Sequence, residues 1–229
     1  MSIYMRTSVD NLVDVVSVYT SHRLALDPAT APVLAGWKPD VARLTGAKDA
    51  LDDALREQLR VRAQRDWEEL KVRNVLRAFA NRIAELGNGS RDTAVYQTYY
   101  PTGFSKVARR PLEDLLLSAR TILARLEAGS DASLQTAGEQ IAAAVAAAEQ
   151  IEAAYQAATA DVATKRAELH AARIAWVGAI RRVEGELTVL YPQDRALVRS
   201  FFYKRRVVKK KDLPEIADTP EAMTTSDAA

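Results

Sequence analysis

Apolar residues recur at helical spacing along almost the whole chain, and one segment carries the pattern furthest. From Leu134 every seventh residue is Leu134, Ile141, Ala148, Tyr155, Val162, Leu169, Trp176, Val183 and Leu190, nine apolar positions in strict heptad phase. No proline lies between 112 and 191. The pattern predicts one helix over 131–190, roughly 90 Å long at 1.5 Å per residue. A sustained seven-residue period calls for a left-handed supercoil, so these nine residues form the expected helix-packing seam. The second seam position is polar in the middle: Val145, Glu152, Thr159, Arg166, Arg173, then Ile180 and Leu187. One step before it runs an alanine-rich line of Ala137, Ala144, Ile151, Ala158, Lys165, Ala172 and Ala179, which would let a partner helix approach closely.

The remaining elements follow from the same pattern. Residues 8–26 read as a helix, with Leu12, Val16, Tyr19 and Leu26 on one face and Thr7-x-x-Asp10 as a capping box. Pro28, Pro32, Gly36 and Pro39 then predict a loop. A second long helix is expected over 40–86, capped by Asp40. Its apolar face is clear at the ends, through Leu44, Leu51, Leu55 and Leu59 and then Val72, Leu76, Phe79, Ile83 and Leu86. Its middle, Arg60 to Glu69, is charged on most faces, with Trp67 as the expected anchor; it reads as a kink or a solvated stretch. Gly87-Asn88-Gly89-Ser90 tolerates positive φ and ends the helix. A short helix over 92–100, capped by Ser90 or Asp92, and a helix over 111–128 between Pro111 and Gly129 come next. A last helix is expected over 193–209, and the acidic 212–229 reads as a disordered tail.

Two aromatic runs align at an offset of 102. Residues 92–100 (DTAVYQTYY) match 194–202 (DRALVRSFF), and basic residues follow both: Lys106, Arg109 and Arg110, then Lys204, Arg205 and Arg206. Each unit would be a long helix whose end folds over as an aromatic plug. The expectation is an all-α, elongated bundle of long antiparallel helices with coiled-coil-like packing and an internal duplication. It forms a single domain over 1–211, with repeat units 40–110 and 131–211.

Composition narrows the chemistry. There is no cysteine among 229 residues, which removes disulfides, thiolate metal sites and a cysteine nucleophile. The two histidines, His22 and His170, fall on different helices, and no Glu-x-x-His or His-Glu-x-x-His occurs. Gly87-x-Gly89 lacks the third glycine and the strand of a dinucleotide fingerprint. No acid, base and nucleophile are brought together, so the chain reads as a non-enzyme without cofactor, metal or small-molecule substrate. The N-terminal segment carries Arg6, Asp10 and Asp14 where a signal peptide would be apolar. With the absent cysteines, that points to a cytoplasmic protein, and the excess of 23 arginines over 9 lysines fits a GC-rich bacterial genome.

The net charge of +2 conceals a +7 block over 191–211 followed by −5 over 212–229. Arg195, Arg199, Lys204, Arg205, Arg206, Lys209, Lys210 and Lys211 form a candidate anion or nucleic-acid surface. The plainer account is that the cluster solubilises a helix C-terminus or pairs with the tail. Three functions are therefore weighed in order. The first is a scaffold or protein-interaction module that associates with itself or a protein partner. The second is nucleic-acid binding through 195–211, and the third is a membrane-active bundle using the apolar but Glu149- and Glu152-interrupted stretch 141–160.

Overall fold

The computed structural model describes residues 7–129 and 134–203, and every regular element in them is helical. A first helix, α1, begins with π-helical turns over Asn11–Ser17 and continues as α-helix over Val18–Ala25. A 3₁₀ turn, Pro28–Thr30, leads into α2, Ala31–Leu86. Two short helices follow, α3 at Ala94–Tyr99 and α4 at Phe104–Val107, then α5 at Leu112–Ala128. The second long helix, α6, spans Gln135–Leu190, and α7 spans Arg195–Ser200. The molecule is an all-α, elongated bundle in which α2 and α6, each of 56 residues and roughly 84 Å long, lie antiparallel.

The loop expected through Pro28, Pro32, Gly36 and Pro39 is largely absent, because α2 starts at Ala31. Pro32 sits in the first turn, where a missing N–H costs nothing. Pro39 lies inside the helix and deprives the preceding turn of a backbone donor. One turn away, Arg182 of α6 donates to the Gly36 carbonyl at 3.2 Å and to Asp40 at 2.6 Å. Burial of Val33 and Trp37 on either side of this turn outweighs the local helix cost. Asp40 is consequently an interior helical residue paired with Arg182, not a cap. The expected caps of the first short helix also shift: Thr93, not Ser90 or Asp92, accepts from the Tyr96 N–H at 3.2 Å. The glycine turn behaves as its composition predicts, with positive φ at Asn88 and Gly89.

Two buried clusters sit at opposite ends of the long pair. The first joins the C-terminal part of α2, from Val72 to Ala84, with α3–α5 and the N-terminal part of α6, from Leu134 to Ala148. Its centre is aromatic: Tyr100 is fully buried, packs against Phe79, Tyr96 and Phe104, and donates to the Leu76 carbonyl at 2.9 Å. The second joins α1 and the N-terminal part of α2, up to Leu44, with α6 from Ala172 to Leu187 and α7. At its centre Trp37 and Trp176 lie 5.4 Å apart, and their indole N–H groups donate to Ser21 and Ser17 at 3.0 Å each. These are called the tyrosine lobe and the tryptophan lobe below.

The lobes are built alike, with the parts exchanged. Each takes the C-terminal half of one long helix, the six-residue helix after it, the N-terminal half of the other long helix, and the helix before that. An offset of 104 superposes α2 on α6 end for end. At that offset the nine-step seam of α6 maps onto Thr30, Trp37, Leu44, Leu51, Gln58, Arg65, Val72, Phe79 and Leu86. The burial profiles match closely: three buried positions at the start, a partly open middle, two buried positions, and an exposed final leucine. Trp37 corresponds to Ile141 and Trp176 to Val72, so the indole pair of one lobe replaces an aliphatic pair of the other. The short helices correspond at 101, one residue less than the offset of 102 read from the sequence, because Thr93 and not Asp92 takes the place of the Asp194 cap and Phe201 and not Phe202 that of the buried Tyr100 ring. The two lobes thus repeat one arrangement of helices, with the long pair shared between them.

Candidate interaction surface

Between the lobes, over 50–70 of α2 and 150–168 of α6, the two long helices run without a third helix from either cluster. This neck has a thin core of Ala54, Val61 and Val162, flanked by half-buried Leu51, Leu55, Tyr155 and Ala158. The polar seam positions bond across it. Gln58 donates to Thr159 at 3.0 Å, and Arg65 pairs with Glu152 while its guanidinium lies 5.2 Å from the Tyr155 ring centre. The Glu152 hydrogen bond, more than any other influence, holds the Arg65 guanidinium above its ordinary pKa. Paired polar groups inside an otherwise apolar seam fix which residues of two long helices face each other.

One face of the neck is an open groove of about 750 Å³. Its α2 wall carries Arg60, Gln64, Trp67, Glu68 and Lys71; its α6 wall is Ala147, Gln150, Ile151 and Ala154. Trp67 is 58% exposed and does not anchor α2 on α6, contrary to its expected role; that role falls to Val61 and the Arg65–Glu152 pair. Of the two alternatives for Arg60 to Glu69, a kink or a solvated stretch, the structure shows the second: a continuous helix with most of these residues exposed. The charges at the groove are internally matched. Arg60 pairs with Glu57 at 2.6 Å and Lys71 with Glu68 at 2.8 Å, while Lys71 also lies 5.9 Å from the Trp67 ring centre. The Arg60 hydrogen bond keeps the Glu57 carboxyl below its ordinary pKa.

The seam read from the sequence is distributed as follows. Leu134, Ile141, Ala148, Val162, Trp176 and Val183 are buried, Tyr155 and Leu169 half-buried, and Leu190 exposed. The alanine-rich line from Ala137 to Ala179 stays buried or half-buried throughout, so α6 presents it to the bundle in preference to the second seam, where Thr159 and Arg166 are exposed. Eleven of the eighteen alanines of α6 are nevertheless exposed, so α2 accounts for only part of the alanine excess. Of the basic set, Arg195 and Arg199 are exposed on α7; Lys204, Arg205, Arg206, Lys209, Lys210 and Lys211 lie outside the described residues, as does 212–229. Among the described residues no group of three or more His, Asp or Glu side chains is placed to hold a metal ion, and no helix is long and apolar enough to cross a membrane. Comparison with protein-family models, with curated proteins and with solved structures finds no match.

Proposed function

We propose that this protein is a non-enzymatic helical scaffold, a strut that holds two similar lobes at a fixed separation and offers its neck to a protein partner. The observation that carries this reading is the arrangement of α2 and α6 as two antiparallel 56-residue helices with a cluster of additional helices at each end and only the long pair between. A seam of matched polar pairs in the neck sets length and register and contributes little core. That is the expected composition of a spacer.

Removing one heptad from each strand of the neck, 55–61 and 156–162, tests it. A spacer keeps both lobes folded, and the maximum dimension in small-angle scattering falls by roughly 10 Å. Loss of helicity on this paired deletion would show that the neck is an indispensable core and would overturn the spacer role.

A second reading is polyanion binding. Arg195 and Arg199 are exposed at the end of the chain from which the basic segment 204–211 continues, and Lys106, Arg109 and Arg110 are exposed at the matching place in the tyrosine lobe. Binding of a DNA duplex should then fall steeply with salt, and should weaken when Arg109 and Arg110 are replaced by Gln. A flat salt response would remove this reading.

A further inference from the structure

A smaller cleft lies in the tryptophan lobe, where α1 meets the end of α7. It holds about 320 Å³ and is lined by Tyr19, Arg199, Ser200, Phe202 and Tyr203. That volume is at the lower end of the range of small-ligand sites, roughly 300–1,000 Å³. Local contacts build it. The Tyr19 hydroxyl donates to the Ser200 carbonyl at 3.2 Å, which holds its ring beside α7. Arg23, one turn further along α1, donates to the Ser200 hydroxyl at 2.8 Å, and its guanidinium lies 5.6 Å from the Phe201 ring centre. Tyr203 meets Tyr19 edge to face, with ring centres 5.8 Å apart and planes at 71°. Both rings are still 38% exposed. A T-shaped contact uses the edge of one ring and one face of the other, so ring faces stay open to a further stacking partner. The tyrosine lobe closes without rings at these places: at the offset of 101, Phe202 and Tyr203 correspond to the exposed Pro101 and Thr102.

The charge beside the cleft is of one sign. Arg199 lines it and Arg195 lies one turn before on α7. Both are exposed, and neither has an ion-pair partner among the described residues. The residues one turn to either side of Tyr19 on α1 are Val15, Val16, His22 and Arg23, none of them acidic. After Tyr203 the sequence continues into 204–211, where six of eight residues are Lys or Arg. A site for an organic cation needs rings without arginines, and a site that reads only phosphate needs arginines without rings. Open aromatic faces next to guanidinium groups with no carboxylate partner suit single-stranded nucleic acid, whose bases stack on the rings while its phosphates meet the cations.

We propose that this cleft binds single-stranded nucleic acid, with bases stacked on Tyr19 and Tyr203 and a phosphate held by Arg199. This rests on the polyanion reading and names the form of polyanion. Fluorescence anisotropy of the full chain against three labelled probes tests it: oligo-dT of about 12 nucleotides, an abasic strand of the same length, and a duplex of that length. Oligo-dT should bind more tightly than either of the others, whereas a protein that reads only phosphate follows charge density and prefers the duplex. Tyr19→Ala and Tyr203→Ala should each raise the Kd for oligo-dT about tenfold and leave the abasic strand unchanged. Tyr19→Phe keeps the ring and loses only the bond to Ser200, so it should bind as the parent chain does. Arg199→Gln should lower the slope of log Kd against log salt by roughly 0.7, the share of one phosphate. Circular dichroism and Tm of each variant should match the parent and exclude misfolding. A duplex bound as tightly as oligo-dT, or tyrosine variants that bind oligo-dT like the parent, overturns the stacking site and leaves the salt-dependent polyanion reading in place. Failure of all three probes to bind at low salt overturns both.

Discussion

At the residue scale, the tryptophan lobe depends on a few hydroxyl groups. An indole N–H has one donor and no acceptor, so a buried Trp needs an acceptor in reach. Ser17 and Ser21, one turn apart on α1, supply two. Ser17 also donates to the Leu12 carbonyl at 2.7 Å, within the widened π turn that sets its position. Replacing Ser17 by Ala removes the hydroxyl that accepts from the Trp176 N–H at 3.0 Å and should lower stability by about 1 kcal/mol in chemical denaturation. Thr20 is the reverse case. Its hydroxyl is fully buried and has no hydrogen-bond partner among the described residues. Thr20→Val keeps the shape and removes an unsatisfied oxygen, so stability should rise, by about 1 kcal/mol. In the tyrosine lobe the matching long-helix residues are Val72 and Ile141, which need no acceptor.

At the element scale, helix ends are tied to their neighbours by polar contacts that respond to pH. The Tyr191 hydroxyl, at the end of α6, donates to the Asp27 carboxylate beside the 3₁₀ turn. That hydrogen bond, with a second from the Ala29 N–H, holds Asp27 below its ordinary pKa; the same contact raises Tyr191. A lowered folded pKa means the stabilisation is present above the unfolded value, near 3.9, and is lost as pH falls through the folded one. The raised Tyr191 contributes below about pH 10 and is lost as pH rises through its folded pKa. Asp27→Asn should therefore flatten the acid limb of the Tm–pH curve and leave the neutral region nearly unchanged. An unaltered acid limb would show that the contact carries no stability. The long helices teach a related lesson about prolines. Pro32 and Pro39 suggest a loop by local rules, but two buried side chains, Val33 and Trp37, hold the segment helical.

At the scale of the whole molecule, register is the controlling quantity. Two 56-residue helices must place both lobes in phase at once, so a shift that suits one lobe displaces the other by the same amount. The paired heptad deletion preserves phase in both; deleting 55–61 alone should not, and should cost one lobe its native packing. Heteronuclear NMR would read this as loss of dispersion confined to one set of aromatic signals. The cross-neck pairs Arg65–Glu152 and Gln58–Thr159 oppose such slippage. They explain why the second heptad line of α6 turns polar where it does: Glu152 and Thr159 are partners, and Arg173 reaches the Thr7 carbonyl at 2.7 Å.

The sequence alone determined the helical class and the unbroken run of α6 to Leu190, because helical periodicity is a one-dimensional property that needs no partner to be read. It also carried the aromatic short helices, since polar caps and bulky rings lie close together along the chain. The tertiary structure decided what depends on contacts between distant residues. The match between α2 and α6 is hidden in the sequence because Gln58 and Arg65 interrupt the apolar line, and only their partners across the neck make them seam residues. Trp67 has the composition of an anchor, and its exposure follows from which face of α2 turns toward α6. The groove exists for the same reason: its residues lie on the face of the long pair turned away from α1 and α5.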